Sequence, residues 1–261
     1  MPHLLHIWPS VSRRLASVPR VLLLFDYDGT LTPIVARPDI ATLSDETRAS
    51  LLELAGMERF VVGVVSGRGL ADLEALVAVP GLVYAGNHGL EMRGGGMDFI
   101  HPEAPAFEGS LADLAQLLVR ELSDIPGIVV DNKRLTLTVH FRNTPESYGG
   151  LVDAKVVAAA APYVDAGRMK ITRGKKVVEV RPNLDWGKGK SIEKIRKDCG
   201  DNPFPMFFGD DQTDEEGFAA VQNAGGIAVF VGPEREPTQA LHRLDSPAEV
   251  NRALALLALL D

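Results

Sequence analysis

The sequence predicts an α/β fold, a Rossmann-like doubly wound parallel sheet interrupted by an inserted α+β unit. Three observations predict it. Short apolar runs that end in polar residues alternate with helical patterns in the first part of the chain. The middle of the chain switches to alternation of apolar and polar residues. Beyond residue 186 the buried-strand pattern resumes.

Residues 21–25 form a continuous apolar run ending in Asp26, the pattern of a strand buried on both faces. A helix over 44–55, a strand over 60–65, a helix over 70–77 and a strand over 82–85 follow. That βαβαβ order implies right-handed crossovers onto one parallel sheet. After Gly94-Gly95-Gly96, read as a flexible connection, an amphipathic helix spans 111–122 and a strand lies near 128–131. Leu135, Leu137, Val139 and Phe141 then alternate with Thr136, Thr138, His140 and Arg142, which predicts an antiparallel strand with one covered and one open face. A helix over 151–161 and strands near 169–172 and 176–180 complete the insertion. The core continues with helix 190–197, strand 206–208, helix 214–223 and strand 227–231. A final helix begins at Ser246, with Pro247 at its first position and Glu249 completing an expected capping box. The expected division is a discontinuous core, residues 1–107 and 183–261, around an insertion of residues 108–182.

Composition narrows the function classes. The 261 residues are 46% hydrophobic and 24% charged, which excludes a disordered chain. The longest apolar run, 253–260, falls far short of the ~20 residues that span a bilayer. A single cysteine, Cys199, excludes a disulfide framework. A net charge of −8 argues against a nucleic-acid backbone binder. No secretory signal is visible, so a cytoplasmic location is expected.

Four strand or helix ends carry chemistry. Asp26-Tyr27-Asp28-Gly29-Thr30 closes the first strand, and its two carboxylates suit a nucleophile beside an acid/base near a cation. Taken alone, the same pattern is a solvated turn. Ser66-Gly67-Arg68 closes the second strand, Lys188 opens a core helix, and Asp210, Asp211 and Asp214 cluster after residue 209. Carboxyl ends of strands in an open α/β sheet are where ligands sit, and the four segments converge there. Gly189-Lys190-Ser191 is not a phosphate-binding P-loop, because the required glycine five positions earlier is Leu184. His3 and His101 lack partners at metal-binding spacing and read as surface residues.

These motifs, in this order, resemble those of the haloacid dehalogenase superfamily of phosphotransferases. Gly86-Asn87-His88-Gly89, Asp131-Asn132-Lys133, His140-Phe141-Arg142, residues 174–182 and residues 210–215 extend the likeness to the trehalose-6-phosphate phosphatase family. The resemblance implies that Asp26 is the nucleophile and Asp28 the general acid and base. It implies that Ser66 and Lys188 hold phosphoryl oxygens. It also implies that Asp26, the Asp28 carbonyl and Asp210 hold Mg2+, an ion that prefers oxygen ligands. Asp211 and Asp214 would orient Lys188 and metal-bound water.

An insertion at this place resembles a type-2 cap, which binds the remote part of a substrate. Lys175 and Glu179, four apart on a strand-like segment, are expected to share a face. With Asp131 and Lys133 they suit an acid–base clamp on sugar hydroxyls; surface salt bridges are the plainer explanation. Asp131 departs from the family, which usually has the longer Glu there. Thr30, Arg68, His88 and Arg142 join the expected substrate contacts. The implied substrate is a phosphorylated disaccharide, trehalose 6-phosphate, with no nucleic acid or membrane partner. The resemblance also admits a functional pairing with a trehalose-6-phosphate synthase. Other capped sugar phosphatases, acting on mannosyl- or glucosyl-3-phosphoglycerate or sucrose 6-phosphate, stay open at this point, as does a non-catalytic sugar-phosphate sensor.

Overall fold

The structure, a computed structural model, describes residues 1–35, 37, 40–233 and 237–260. In chain order, the first stretch holds α1 (Trp8–Ala16), β1 (Val21–Phe25), α2 (Asp45–Ala55), β2 (Phe60–Val65), α3 (Leu70–Val77), β3 (Val83–Gly86), β4 (Glu91–Gly94) and β5 (Met97–Ile100). The middle holds α4 (Glu108–Glu121), β6 (Val129–Asn132), β7 (Leu137–His140), α5 (Gly149–Asp165), β8 (Met169–Gly174) and β9 (Val177–Pro182). The last stretch holds α6 (Lys188–Asp198), β10 (Phe204–Gly209), α7 (Glu215–Asn223), β11 (Ile227–Val231), β12 (His242–Leu244) and α8 (Pro247–Leu257). Two compact units result. One takes in Met1–Val35, Ala41–Phe99 and Trp186–Asp261, and the other Ile100–Asp185 with Arg37 and Ile40. The second unit thus starts before residue 108, because Phe107, in the turn leading into α4, packs on its core.

The first unit carries an eight-stranded sheet in the order β12-β11-β10-β1-β2-β3-β4-β5. The six strands from β12 to β3 run parallel, and β4 returns antiparallel to β3. The continuous apolar run of β1 follows from two covered faces. Val21, Leu23 and Phe25 pack against α1, α2, α3 and α8, while Leu22 and Leu24 pack with α6 and α7. All five are fully buried, at roughly 1.5–3 kcal/mol per large apolar side chain. Sheet order reverses at β1, which has β2 on one side and β10 on the other. The carboxyl end of β1 is therefore the topological switch point, where open α/β sheets bind ligands.

Three expectations change here. Gly94-Gly95-Gly96 is not a linker; it ends β4 and turns into β5, because Glu91, Met92 and Arg93 continue the sheet by pairing with β3. The capping box at α8 is not formed. Ser246 is the N-cap but makes no side-chain cap bond, and Glu249 accepts from the Asp245 N–H at 2.7 Å. His3 is not a surface residue. It is 8% exposed and meets Glu249 at 2.9 Å, held in place where the segment before α1 runs beside β12.

The second unit is a four-stranded antiparallel sheet, β6-β7-β9-β8. Leu137, Val139, Val178 and Val180 pack on Leu111, Leu114, Leu118, Val152 and Val156 of α4 and α5. The other face was expected to be open. Thr136 and Thr138 are instead buried there, with Lys133 donating to the Thr138 hydroxyl at 2.8 Å. Lys175 does not share a strand face with Glu179, because Lys175 and Lys176 form the turn between β8 and β9.

Candidate active site

The chemistry-bearing residues of the first unit sit where the parallel strands end. Beyond β1 the Asp26 N–H still reaches the Phe208 carbonyl at 2.8 Å, so the ladder fixes the direction of the Asp26 side chain. The chain then folds into a turn, with the Leu31 and Thr32 N–H groups on the Tyr27 carbonyl and the Gly29 N–H on the Thr32 carbonyl. Tyr27 is buried and anchors this turn through its hydroxyl, which donates to the Ala41 carbonyl at 2.7 Å. Gly29 adopts φ +98°, and a Cβ there would lie 2.2 Å from Asp210 Oδ2. The Asp210 carboxylate is packed against the backbone of the Asp28–Gly29 loop. Thr30 is fully buried, and its Oγ1 has no hydrogen-bond partner among the described residues.

Lys188, the first residue of α6, joins two carboxylates. Its Nζ donates to Asp26 Oδ1 and to Asp214 Oδ1, both at 2.6 Å. A cation at a helix N-terminus opposes the helix dipole, and the two carboxylates offset that cost. Burial pushes the Asp26 carboxyl well above the ordinary range; Lys188 opposes this, and Asp214 and Asp210 reinforce it. For Lys188, burial favours the neutral amine, but Asp214 and Asp26 overcome it and hold the ammonium charged.

Asp26, Asp210 and Asp214 each place one carboxylate oxygen within 4.8 Å of the others, and all three are buried. Asp214 is fully committed. Its Oδ1 holds Lys188, while its Oδ2 accepts the N–H groups of Asp210 and Asp211 at 3.0 Å each. Asp211 caps the short turn before α7 by accepting the Gln212 N–H at 2.5 Å. The three carboxyl groups gather their oxygens around one point, and an all-oxygen donor set of this kind fits a hard divalent cation.

Ser66 directly follows β2, and its Oγ accepts the Arg68 N–H at 3.2 Å. The Asn87-His88 turn clasps this segment. The Asn87 N–H reaches the Arg68 carbonyl at 2.6 Å, and the His88 N–H reaches the Ser66 carbonyl at 2.8 Å. Both residues hold positive φ, 49° and 58°, and a Cβ on Gly67 would lie 2.8 Å from the His88 ring. Glu91 stiffens the arrangement by accepting the Leu70 N–H and the Asn87 amide. The guanidinium of Arg68, a residue expected on substrate, grips Asp28 and Asp72. The i, i+4 spacing of Arg68 and Asp72 was a signal in the sequence that could have shown part of this.

In the second unit, Lys133, Thr138, Glu179 and Thr172 form one polar cluster. Thr138 Oγ1 lies 3.4 Å from Glu179 Oε1, and Thr172 Oγ1 lies 3.3 Å from Glu179 Oε2. Asp131 lies on the same row of the sheet, 3.8 Å from His140. Arg142 Nη2 donates to the Lys175 carbonyl at 2.7 Å. Sequence reasoning missed the two threonines, because threonine in a strand is unremarkable by propensity.

Comparison with known proteins bears on both units. A family model described as trehalose-phosphatase matches residues 24–248. A trehalose-phosphate phosphatase of Mycobacterium avium is 42% identical over 234 residues, covering 86% of this chain and 58% of that protein. A probable trehalose-phosphate phosphatase 3 of Oryza sativa is 34% identical over 257 residues, covering 91% of this chain and 69% of that protein. The chain therefore spans about two thirds or less of these two relatives' length. The C-terminal domain of the C. albicans trehalose-6-phosphate phosphatase superposes with a TM-score of 0.84 at 26% identity, covering 100% of this chain and 98% of that one. By the extent of these matches, the chain belongs to the trehalose-phosphatase family.

Proposed function

We propose that this chain is a Mg2+-dependent phosphatase that hydrolyses trehalose 6-phosphate to trehalose and phosphate through an aspartyl-phosphate on Asp26. The observation that carries the reading is the buried Asp26–Lys188–Asp214 chain of charged hydrogen bonds beside Asp210. Family membership supplies the substrate.

Asp26 Oδ attacks phosphorus, and the bond between phosphorus and the sugar oxygen breaks. Asp28 gives its proton to that departing oxygen, then takes a proton from the water that attacks the phosphoryl group. Phosphate leaves and the Asp26 carboxylate is restored. Lys188 and Ser66 hold the non-bridging oxygens of the phosphoryl group as it moves to Asp26, so positioning and charge neutralisation carry most of the rate. Asp214 keeps Lys188 aimed at Asp26. Asp26, Asp210 and the Asp28 carbonyl would hold Mg2+, with Asp211 beside them. When bound, the ion offsets repulsion between a carboxylate and a phosphate dianion. Thr30 and His88 line the phosphate end.

The second unit, acting as a cap, recognises the sugar through Lys133, Glu179 and Asp131, with Arg142 and Lys175 contributing at its rim. Its substrate is the product of a trehalose-6-phosphate synthase, and the setting is the cytoplasm. Among the described residues no helix is long and apolar enough to cross a membrane.

The test is phosphate release across a panel of sugar phosphates, with Mg2+ and with a chelator. Trehalose 6-phosphate should be the preferred substrate, and chelation should stop turnover. Preference for sucrose 6-phosphate or a glycosyl-3-phosphoglycerate would overturn the substrate. Absence of turnover on every member would favour a sensor, against which the intact Asp26, Asp28, Lys188 and Asp210 argue.

A further inference from the structure

The turn at Asn87–Gly89 is bonded on two sides. On one side it donates. The His88 N–H reaches the Ser66 carbonyl at 2.8 Å, and the Asn87 N–H reaches the Arg68 carbonyl at 2.6 Å. On the other side it accepts, from residues that flank Lys188. The Ser191 hydroxyl, in the first turn of α6, donates to the His88 carbonyl at 3.0 Å. The Trp186 indole N–H donates to the Gly89 carbonyl at 2.8 Å.

The turn needs that support. Asn87, His88 and Gly89 hold positive φ in succession, 49°, 58° and 84°. For the two residues that carry a Cβ this conformation is strained, and it persists only where surrounding bonds over-determine it. A Cβ on Gly89 would lie 1.8 Å from Ser191 Oγ, so the turn and α6 meet with no room for a side chain. Ser191 is fully buried, and its hydroxyl has one proton to give. That hydroxyl also lies 2.7 Å from the Gly187 carbonyl, which already receives the Ser191 N–H at 3.1 Å. Given to Gly187, the proton repeats a link the backbone already makes; given to His88, it ties α6 to the turn. The Trp186 ring is itself packed on Phe99, with centroids 5.6 Å apart, and Lys194 of α6 places its Nζ 4.6 Å from the centre of the Phe99 ring.

We infer that Ser191 and Trp186 are positioning residues for phosphoryl transfer, which lock the Asn87–Gly89 turn to α6 and so fix Ser66 against Lys188. The inference rests on the reading above that Ser66 and Lys188 hold the phosphoryl oxygens. Ser66 follows β2 and Lys188 opens α6, so their separation depends on what joins those two segments. Two groups that grip one phosphoryl group need that separation fixed, since a misplacement of about 1 Å costs on the order of a hundredfold in rate. The turn fixes it, bonded to the Ser66 segment by its N–H groups and to the Lys188 segment by its carbonyls. Ser191 and Trp186 act through the turn, not on the phosphoryl group.

The experiment uses the full chain with Ser191→Ala and Trp186→Phe, each made alone and on a Ser66→Ala background. It reads kcat and KM for trehalose 6-phosphate and for a small aryl phosphate. Alone, each change should lower kcat about tenfold with little change in KM, and equally on both substrates, because the defect lies at the phosphoryl group they share. On the Ser66→Ala background the same changes should cost much less, about threefold at most, because the hydroxyl they position is gone. Trp186→Phe keeps an aromatic ring beside Phe99 and removes the N–H, and it decides the matter if Ser191→Ala does not fold. Equal losses on both backgrounds would mark a general loosening of the fold and overturn the inference. Unchanged kcat in the folded variants, or a loss confined to the sugar substrate, would overturn it too. Failure of the unaltered protein to turn over either substrate is a separate result: it overturns the phosphatase reading, and the inference falls with it.

Discussion

The guanidinium of Arg68 holds the Asp28 carboxylate with two bonds, Nε to Oδ2 at 2.7 Å and Nη2 to Oδ1 at 2.8 Å. Its third nitrogen holds Asp72 at 2.9 Å, and its Cζ lies 5.2 Å from the Tyr27 ring centre. A planar fork on a carboxylate fixes both distance and direction, which lysine cannot reproduce. Arg68→Lys should therefore act through Asp28. The expected outcome is a fall in kcat for trehalose 6-phosphate on the order of tenfold, with a smaller fall for an aryl phosphate. An aryl oxide departs with little need of a proton, so a misplaced Asp28 matters less to it. Steady-state kinetics on both substrates checks this. Equal losses would assign Arg68 to the phosphate itself.

Asp28→Asn separates proton transfer from attack. The amide cannot donate to a sugar oxygen, so single-turnover loss of the sugar should slow far more than loss of an aryl oxide. Asp26→Asn removes the nucleophile and should abolish turnover on both. Circular dichroism confirms that each variant stays folded, and equal slowing of both substrates in Asp28→Asn would remove its acid role.

Metal binding has a readout that needs no turnover. An ion that binds the folded chain alone stabilises it by about 2.7 kcal/mol at a hundred times its Kd. Saturating Mg2+ should thus raise Tm by roughly 5 °C, and Asp210→Asn should abolish the rise. Gly29→Ala should do the same by another route. Its Cβ would fall 2.2 Å from Asp210 Oδ2 at a φ that disfavours any side chain, so Asp210 must move. A normal Mg2+ shift in Gly29→Ala would show that Asp210 is not a ligand.

Legibility in the sequence followed the physics of each signal. The strands β1, β2, β10 and β11 were plain because a strand covered on both faces must be apolar throughout, as residues 21–25 are. Asp26, Ser66 and Asp210 were plain because they lie immediately after β1, β2 and β10. Short edge elements were not. Residues 91–100 are mixed and glycine-rich, so β4 and β5 left no periodic trace, and three-residue β12 left none either. Lys175 was misplaced because period two holds only within a strand, and the turn at 175–176 breaks the count. The partners of Arg68 were hidden for a different reason. A sequence shows which charges exist, whereas the pairing with Asp28, 40 residues away, depends on the tertiary fold.

The start of α8 gives a stability prediction that depends on pH. Glu249 Oε2 accepts from the Asp245 N–H at 2.7 Å and meets His3 Nε2 at 2.9 Å. Burial favours its neutral form, but the Asp245 N–H and His3 outweigh burial and hold the carboxyl below the ordinary range. A carboxyl whose pKa is lower folded than unfolded contributes stability in full above its unfolded value of about 4.3, and loses it as pH falls through the folded value. Glu249→Gln keeps the shape and removes the charge. At pH 7 it should cost about 1 kcal/mol, and the gap to the unaltered protein should close as pH drops below about 4. Urea midpoints at pH 7, 5, 4 and 3.5 measure the gap directly. If it stays constant across that range, Glu249 acts through shape and neutral hydrogen bonding, and the carboxylate charge contributes nothing to anchoring the segment before α1.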